Sequence, residues 1–206
     1  MKNKFTLTAG LILLSGLGLA FAGTDVKAAS KAAPEVKQED AKVTEFKGIL
    51  FKLVRQDEYL DEAIETLDSS KGRLSAHDIS TIGLSLKTIA GNLNRVSVLN
   101  KNEFASIQPG SHLAKYTNTI LSYSNKVNRK SVQVSAIVAK MAAATRKAGM
   151  RDAVSSKKGA RKGGKKLTQL LEEQKALATL AADAKTLRSA SRDLTATSKW
   201  LYIASK

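Results

Sequence analysis

Residues 79–100 read ISTIGLSLKTIAGNLNRVSVLN, and their apolar side chains recur at alternating intervals of three and four residues. This spacing predicts an amphipathic helix whose apolar seam packs on other helices, as in a coiled coil. Ser75 and Asp78 resemble a capping box and mark the start of this helix. The seam consists of Ile79, Ile82, Leu86, Ile89, Leu93 and Val96, with Asn100 at the next seam position.

Three further stretches show helical spacing of apolar residues. They run from about Phe46 to Leu67, from Leu113 to about Ala148, and from Leu167 to about Ile203. No stretch alternates apolar and polar residues with a period of two, so a sheet is not expected. The sequence therefore predicts an all-α fold, an antiparallel up-down-up-down bundle of about four long helices in residues 41–206. Two helical hairpins that dimerise are the main alternative.

The first 28 residues have the organisation of a secretory signal peptide. Lys2 and Lys4 precede an apolar run that ends near Ala22, and small residues suited to cleavage follow at Ala22 and Ala28. We therefore expect cleavage after residue 22 or 28 and export to the periplasm, the cell surface or the medium. An uncleaved N-terminal anchor is the alternative. The polar, Ala- and Lys-rich residues 29–40 are predicted to form a flexible leader.

The composition excludes several kinds of chemistry. The chain of 206 residues contains no Cys and two His, which removes disulfides, thiolate nucleophiles and Cys-ligated metal centres. His77 and His112 lie in neither the H-E-x-x-H nor the Glu-x-x-His spacing, so no zinc or di-iron site is predicted. Residues 159–166 approach a phosphate-binding loop, but Lys166 replaces the Ser or Thr that would hold magnesium. We expect a non-enzyme with no catalytic residues, no metal and no cofactor.

The charge of the chain is large and unevenly distributed. Lys and Arg number 34 against 18 Asp and Glu, which gives a formal net charge of +16. Residues 35–68 carry ten acids and five bases, whereas residues 104–166 carry fourteen bases and one acid. On a helical wheel, seven bases of the third stretch share one side, beside the apolar face. This basic stripe consists of Lys115, Lys126, Arg129, Lys130, Lys140, Lys147 and Arg151.

The stripe leads into a Gly-spaced basic loop at residues 155–166. Its bases are Lys157, Lys158, Arg161, Lys162, Lys165 and Lys166. Bases at such intervals can follow a phosphate or sulfate backbone, and their binding depends strongly on salt. We therefore predict that stripe and loop bind an anionic envelope polymer or membrane surface. The scarcity of aromatic residues and the expected export argue against sequence-specific binding to nucleic acid.

Two simpler interpretations of the basic residues stay open. The stripe can be a solvated face that keeps the protein soluble. It can also be neutralised, because the end of the first helix would share one end of the bundle with the basic loop. The acids concerned are Asp57, Glu58, Asp61, Glu62, Glu65 and Asp68.

Two other functions also stay open. The unbroken seam at residues 79–96 suits a structural or interaction protein that binds a partner or a second copy. A periplasmic chaperone-like protein is the third hypothesis. Leu167-Thr168-Gln169 resembles the first three residues of the L-T-x-x-Q motif of Spy-type chaperones, but Leu171 replaces the final Gln, so no function is carried over.

At the C-terminus, residues 200–203 are expected to pack in the core, with a membrane-interface contact as the alternative.

Overall fold

A computed structural model describes residues 33–70, 74–156 and 164–206 of the chain. These ranges contain four α-helices and no strand, which confirms the predicted all-helical bundle. The helices are α1 (Ala33–Ser69), α2 (Ala76–Phe104), α3 (Ala114–Ser156) and α4 (Gly164–Ala204). The predicted signal peptide and its cleavage sites lie outside the described residues.

Two boundaries differ from those expected. α1 begins at Ala33, so residues 33–40, which were predicted to be a flexible leader, are helical. Pro34 suits the first turn of a helix, and the Lys, Gln and Glu residues that follow favour helix. The basic loop is also shorter than expected, because residues 155–156 end α3 and residues 164–166 begin α4. α3 continues through Gly149 without a break.

The start of α2 follows the sequence signal closely. The Oγ of Ser75 accepts a hydrogen bond from the backbone N–H of Asp78 at 3.2 Å. The carboxylate of Asp78 accepts one from the backbone N–H of Ser75 at 3.1 Å. This reciprocal pair is a capping box, with Asp in place of the usual Glu. After α2, Gly110 has a φ of 74°, which a residue without Cβ adopts without strain.

α4 lies between α2 and α3 and packs on both. It runs parallel to α2, because Gly83 lies against Asp183 and Ser97 lies against Thr197. A Cβ added at Gly83 would lie 3.0 Å from Oδ2 of Asp183, so the glycine permits a close approach of the two helices. α3 and α4 are antiparallel, because Thr117 near the start of α3 contacts Ser205, just after the end of α4, whereas Ser135 further along α3 contacts Ala184.

α1 completes the bundle by packing on α3 and, less extensively, on α2. It runs parallel to α3, because Asp57 contacts Lys126 and Asp61, one turn later, contacts Lys130. In the described residues α1 does not meet α4, and α2 does not meet α3. α1 therefore packs mainly on a parallel helix, α3, and α2 packs mainly on a parallel helix, α4. The sequence suggested instead that neighbouring helices would all be antiparallel.

The connection between α2 and α3 explains this arrangement. Its nine residues, 105–113, can span roughly 30 Å when extended, which is ample to cross from one corner of a bundle to the opposite corner. The crossing brings the acidic α1 beside the basic α3, where their charges pair. Direction still alternates along the chain, but helices that follow one another in sequence are not all neighbours.

The core is built from apolar residues that recur every seven positions. All six residues of the predicted α2 seam are buried, as is Asn100. α1, α3 and α4 each add a similar row of large side chains. These rows are Phe46, Leu53, Leu60 and Leu67 on α1, Ile120, Val127 and Val134 on α3, and Leu180, Leu187, Leu194 and Leu201 on α4.

Candidate anion-binding site

The middle of the basic stripe is occupied by acids of α1. Lys130 lies between α1 and α3, with Nζ 2.5 Å from Oδ1 of Asp57 and 2.7 Å from Oδ2 of Asp61. Its side chain is only 14% exposed. Lys126 donates a hydrogen bond to the other carboxylate oxygen of Asp57 at 2.6 Å. These two predicted site residues are thus paired inside the fold.

The pairing keeps the cluster ionised. Burial alone would raise the pKa of Asp57, but the hydrogen bonds from Lys126 and Lys130 outweigh it and lower the pKa below its ordinary value. The same hydrogen bond to Asp57 raises the pKa of Lys126. Asp57 and Asp61 together balance the charges of Lys126 and Lys130, which leaves little positive charge at this pair of lysines to attract a polyanion.

The other described stripe residues have open side chains. Lys115, Arg129, Lys140 and Lys147 are exposed, and all lie on the edge of α3 that faces α1. Arg129 precedes Lys130 on α3, whereas Lys140 and Lys147 lie further along the helix. The stripe predicted from the helical wheel is therefore divided, with a neutralised middle and an open distal part.

α3 and α4 extend beyond the four-helix part of the molecule. The contacts of α1 with α3 place its last residue, Ser69, near residue 140 of α3. The contacts of α2 with α4 place Ala76 near residue 175 of α4. We call residues 140–156 of α3 and 164–175 of α4 the distal hairpin. At 1.5 Å per residue it projects by about 20 Å.

Side-chain burial marks the same boundary. Val138 is the last buried residue described on α3, and Leu177 is the first described on α4. None of the described side chains between them is buried. The described side chains of the distal hairpin are thus not covered by α1, and α2 reaches only its base, where Ala76 and Ile79 line a cavity with Glu172 and Lys175.

The distal hairpin contains five of the thirteen predicted site residues, and four more lie in the segment between its two helices. Residues 140–175 include eleven bases and three acids. Arg151 lies on α3, and Lys165 and Lys166 lie in the first turn of α4. Lys157, Lys158, Arg161 and Lys162 lie outside the described residues. Sequence reasoning therefore located the charge correctly along the chain but did not reveal that it sits on a projecting hairpin.

One basic residue was missed by the helical wheel. Arg146 points away from the stripe, yet it lines a groove of about 330 Å³ between α3 and α4. Leu171 lies in the same groove and is exposed. The register of α4 against α3 determines this position, and that register is not readable from the periodicity of α3 alone.

The acids of α1 do not take the place expected of them. They were expected beside the basic loop, but Asp57 and Asp61 contact bases in the middle of α3 instead. α1 ends about 15 residues before the end of α3, as the register shows. Neutralisation is therefore local to Lys126 and Lys130.

Within the described ranges, no three His, Cys, Asp or Glu side chains come together as a metal ion would require. None of the helices described carries an apolar stretch long enough to cross a bilayer. Comparison of the chain with protein-family models, with curated proteins and with solved structures finds no match in any of the three.

Proposed function

We propose that this chain is an exported, non-enzymatic helical bundle that binds an anionic polymer or lipid surface through its distal hairpin and the loop from α3 to α4. The observation that carries the proposal is the excess of bases on a part of the molecule that α1 and α2 do not cover. Export is supported by the signal-peptide pattern of residues 1–28.

The geometry of the hairpin suits a linear or planar polyanion. Lys140 and Lys147 are two turns apart on one edge of α3, and the helical wheel of the sequence groups Arg151 with them. The bases are therefore spread along the projection instead of converging on a pocket. Such an array binds repeating charges by releasing counterions and requires no specific shape in the ligand.

The competing interaction hypothesis loses its main support. It rested on the α2 seam at residues 79–96, whose six apolar residues are all buried against other helices of the same chain. Asn100, at the next seam position, donates its hydrogen bond to Ser198 of α4. The seam therefore offers no surface to a partner in this fold.

A salt series on heparin and on anionic vesicles tests the proposal. We expect retention on one or both matrices that falls steeply as salt rises. Changing Lys140, Lys147 and Arg151 to Ser should reduce the slope of log K against log salt by about two to three. The two matrices distinguish a soluble polymer from a lipid surface as the source of the anionic groups.

A charge-matched variant provides the control. Lys87, Arg95 and Arg192 are exposed bases on α2 and α4, outside the hairpin. Their change to Ser lowers the net charge equally and should leave most of the retention intact. Equal loss in both triple variants would show that net charge alone governs binding, and retention that ignores salt would contradict the proposal.

A further inference from the structure

The end of the bundle opposite the hairpin exposes large apolar side chains of α4. Trp200 is 56% exposed and Ile203 is 59% exposed, and both point away from the core. Between them, Leu201 is fully buried and Tyr202 is half-buried. The sequence led us to expect that residues 200–203 pack in the core. This holds for Leu201 but not for Trp200 or Ile203.

The end of α2 adds two more apolar side chains at the same level. The register that sets Ser97 beside Thr197 places Val98 and Phe104 level with the last turns of α4. Both are about half exposed. Of the nine large apolar side chains that are exposed in the described residues, four lie at this end. We call Val98, Phe104, Trp200 and Ile203 the apolar end patch.

Lysine side chains lie at the same end as the apolar end patch, as do two interacting acids, Glu45 of α1 and Glu103 of α2. Lys199 and Lys206 flank it on α4, Lys101 lies on α2, and Lys115 begins α3 at the same end. All four are exposed. The Nζ of Lys206 lies 4.8 Å from the centroid of the Tyr202 ring, so this lysine stays beside the aromatic residues.

The composition of this surface favours a lipid bilayer over a protein partner. Protein interfaces are depleted in Lys, whereas Trp and Tyr with flanking Lys are typical of the membrane–water interface. The exposed ammonium groups, which outnumber the two acids, also complement anionic headgroups, while the indole of Trp200 suits the layer just below them. A second copy would bring like charges together at the same patch.

We propose that the apolar end patch docks on the headgroup layer of an anionic lipid bilayer, with Trp200 and Ile203 entering that layer. The inference does not rest on the anion-binding role of the distal hairpin, because the two surfaces lie at opposite ends of α4. At 1.5 Å per residue, the 25 residues from Lys175 to Trp200 separate them by about 40 Å.

Trp200 is the only Trp of the chain and therefore reports on this end of the molecule alone. We expect its emission to shift to the blue when the full chain meets vesicles of phosphatidylglycerol and phosphatidylcholine. Brominated acyl chains in the same vesicles should quench it. Vesicle binding without a shift would place the contact elsewhere and overturn the proposal, as would the absence of binding.

A pair of variants separates the patch from general hydrophobicity. Ile203→Ser should weaken co-sedimentation with these vesicles roughly fivefold. Leu84→Ser is the control, because Leu84 is 68% exposed but lies far from this end on α2. Equal weakening by both changes would contradict the proposal. A blue shift that appears without lipid, as protein concentration rises, would assign the patch to self-association instead and overturn it.

The hairpin variant distinguishes this inference from the proposed function. With Lys140, Lys147 and Arg151 changed to Ser, the Trp200 shift on vesicles should persist while retention on heparin falls. Loss of the shift in that variant would mean that the hairpin drives lipid contact, and the docking role of the apolar end patch would then be wrong.

Discussion

At the residue scale, Asp57 is an ionised carboxylate whose side chain is 6% exposed and which contacts two lysines of α3. Its removal would leave Lys130 nearly buried with Asp61 as its remaining acidic partner. An ammonium group that has lost a buried partner keeps its desolvation cost without the attraction that offset it. The stability of the α1–α3 junction therefore depends on this one side chain more than on the exposed acids around it.

Asp57→Asn should lower the free energy of unfolding by about 2 kcal/mol, less than for a fully buried pair because Lys126 stays half-exposed. Urea unfolding followed by far-ultraviolet circular dichroism measures the change. Asp68→Asn is the matched control on the same helix, since Asp68 is exposed. It should change stability by less than about 0.5 kcal/mol.

The same variant should reveal a pH dependence. The pKa of Asp57 is lowered in the folded state, so its stabilising contribution is complete above about pH 5 and is lost as pH falls through the folded pKa. The stability difference between wild type and Asp57→Asn should therefore be constant near neutral pH and should shrink below about pH 4. A difference that stays constant into acid would show that the carboxylate charge is not what stabilises the junction.

At the element scale, hydroxyl groups hold α4 to its two neighbours. Ser198 of α4 accepts a hydrogen bond from Nδ2 of Asn100 on α2 at 2.9 Å. The same hydroxyl lies 2.7 Å from Oγ of Ser124 on α3. All three residues are fully buried. Because α2 and α3 are not neighbours, this chain of polar groups links three helices through α4.

Ser198→Ala should destabilise the fold by about 1–2 kcal/mol, because it leaves the buried amide of Asn100 without its acceptor. A double-mutant cycle with Asn100→Ala measures the interaction, for which we expect a coupling of about 1 kcal/mol. Ser189→Ala, at an exposed position of α4, is the control and should be nearly neutral. Strict additivity in the cycle would mean that the hydrogen bond contributes nothing.

These elements show what the sequence could and could not predict. The α2 seam was predicted residue by residue, because apolar identity and spacing suffice to define a buried face. The burial of Ser124 and Ser198 was not predicted, since their hydroxyls pair with each other across two helices whose register the sequence does not reveal. Likewise, the helical wheel shows which bases of α3 share a side of the helix. It does not show that α1 packs over Lys130 and leaves Lys140 exposed to solvent, because this depends on how the helices pair.

At the scale of the whole molecule, the core and the proposed binding surfaces occupy different parts of the chain. Every buried apolar side chain of the described residues lies at or before Val138, or at or after Leu177. The four-helix part should therefore fold without the distal hairpin. The neutralised acids and bases of α1 and α3 lie within that part, and the eleven bases of residues 140–175 lie outside it.

Replacing residues 142–175 by a short Gly-Ser turn tests this division. The shortened chain should unfold cooperatively, with a free energy of unfolding within about 1 kcal/mol of the full chain, because none of the described side chains that it loses is buried. Urea titration measures this, and unchanged emission of Trp200 checks that the opposite end is intact. Retention on heparin should be lost. The new turn joins α3 and α4, which are already neighbours, so the turn itself should cost little stability. A large drop in stability would therefore show that the hairpin is part of the folding unit.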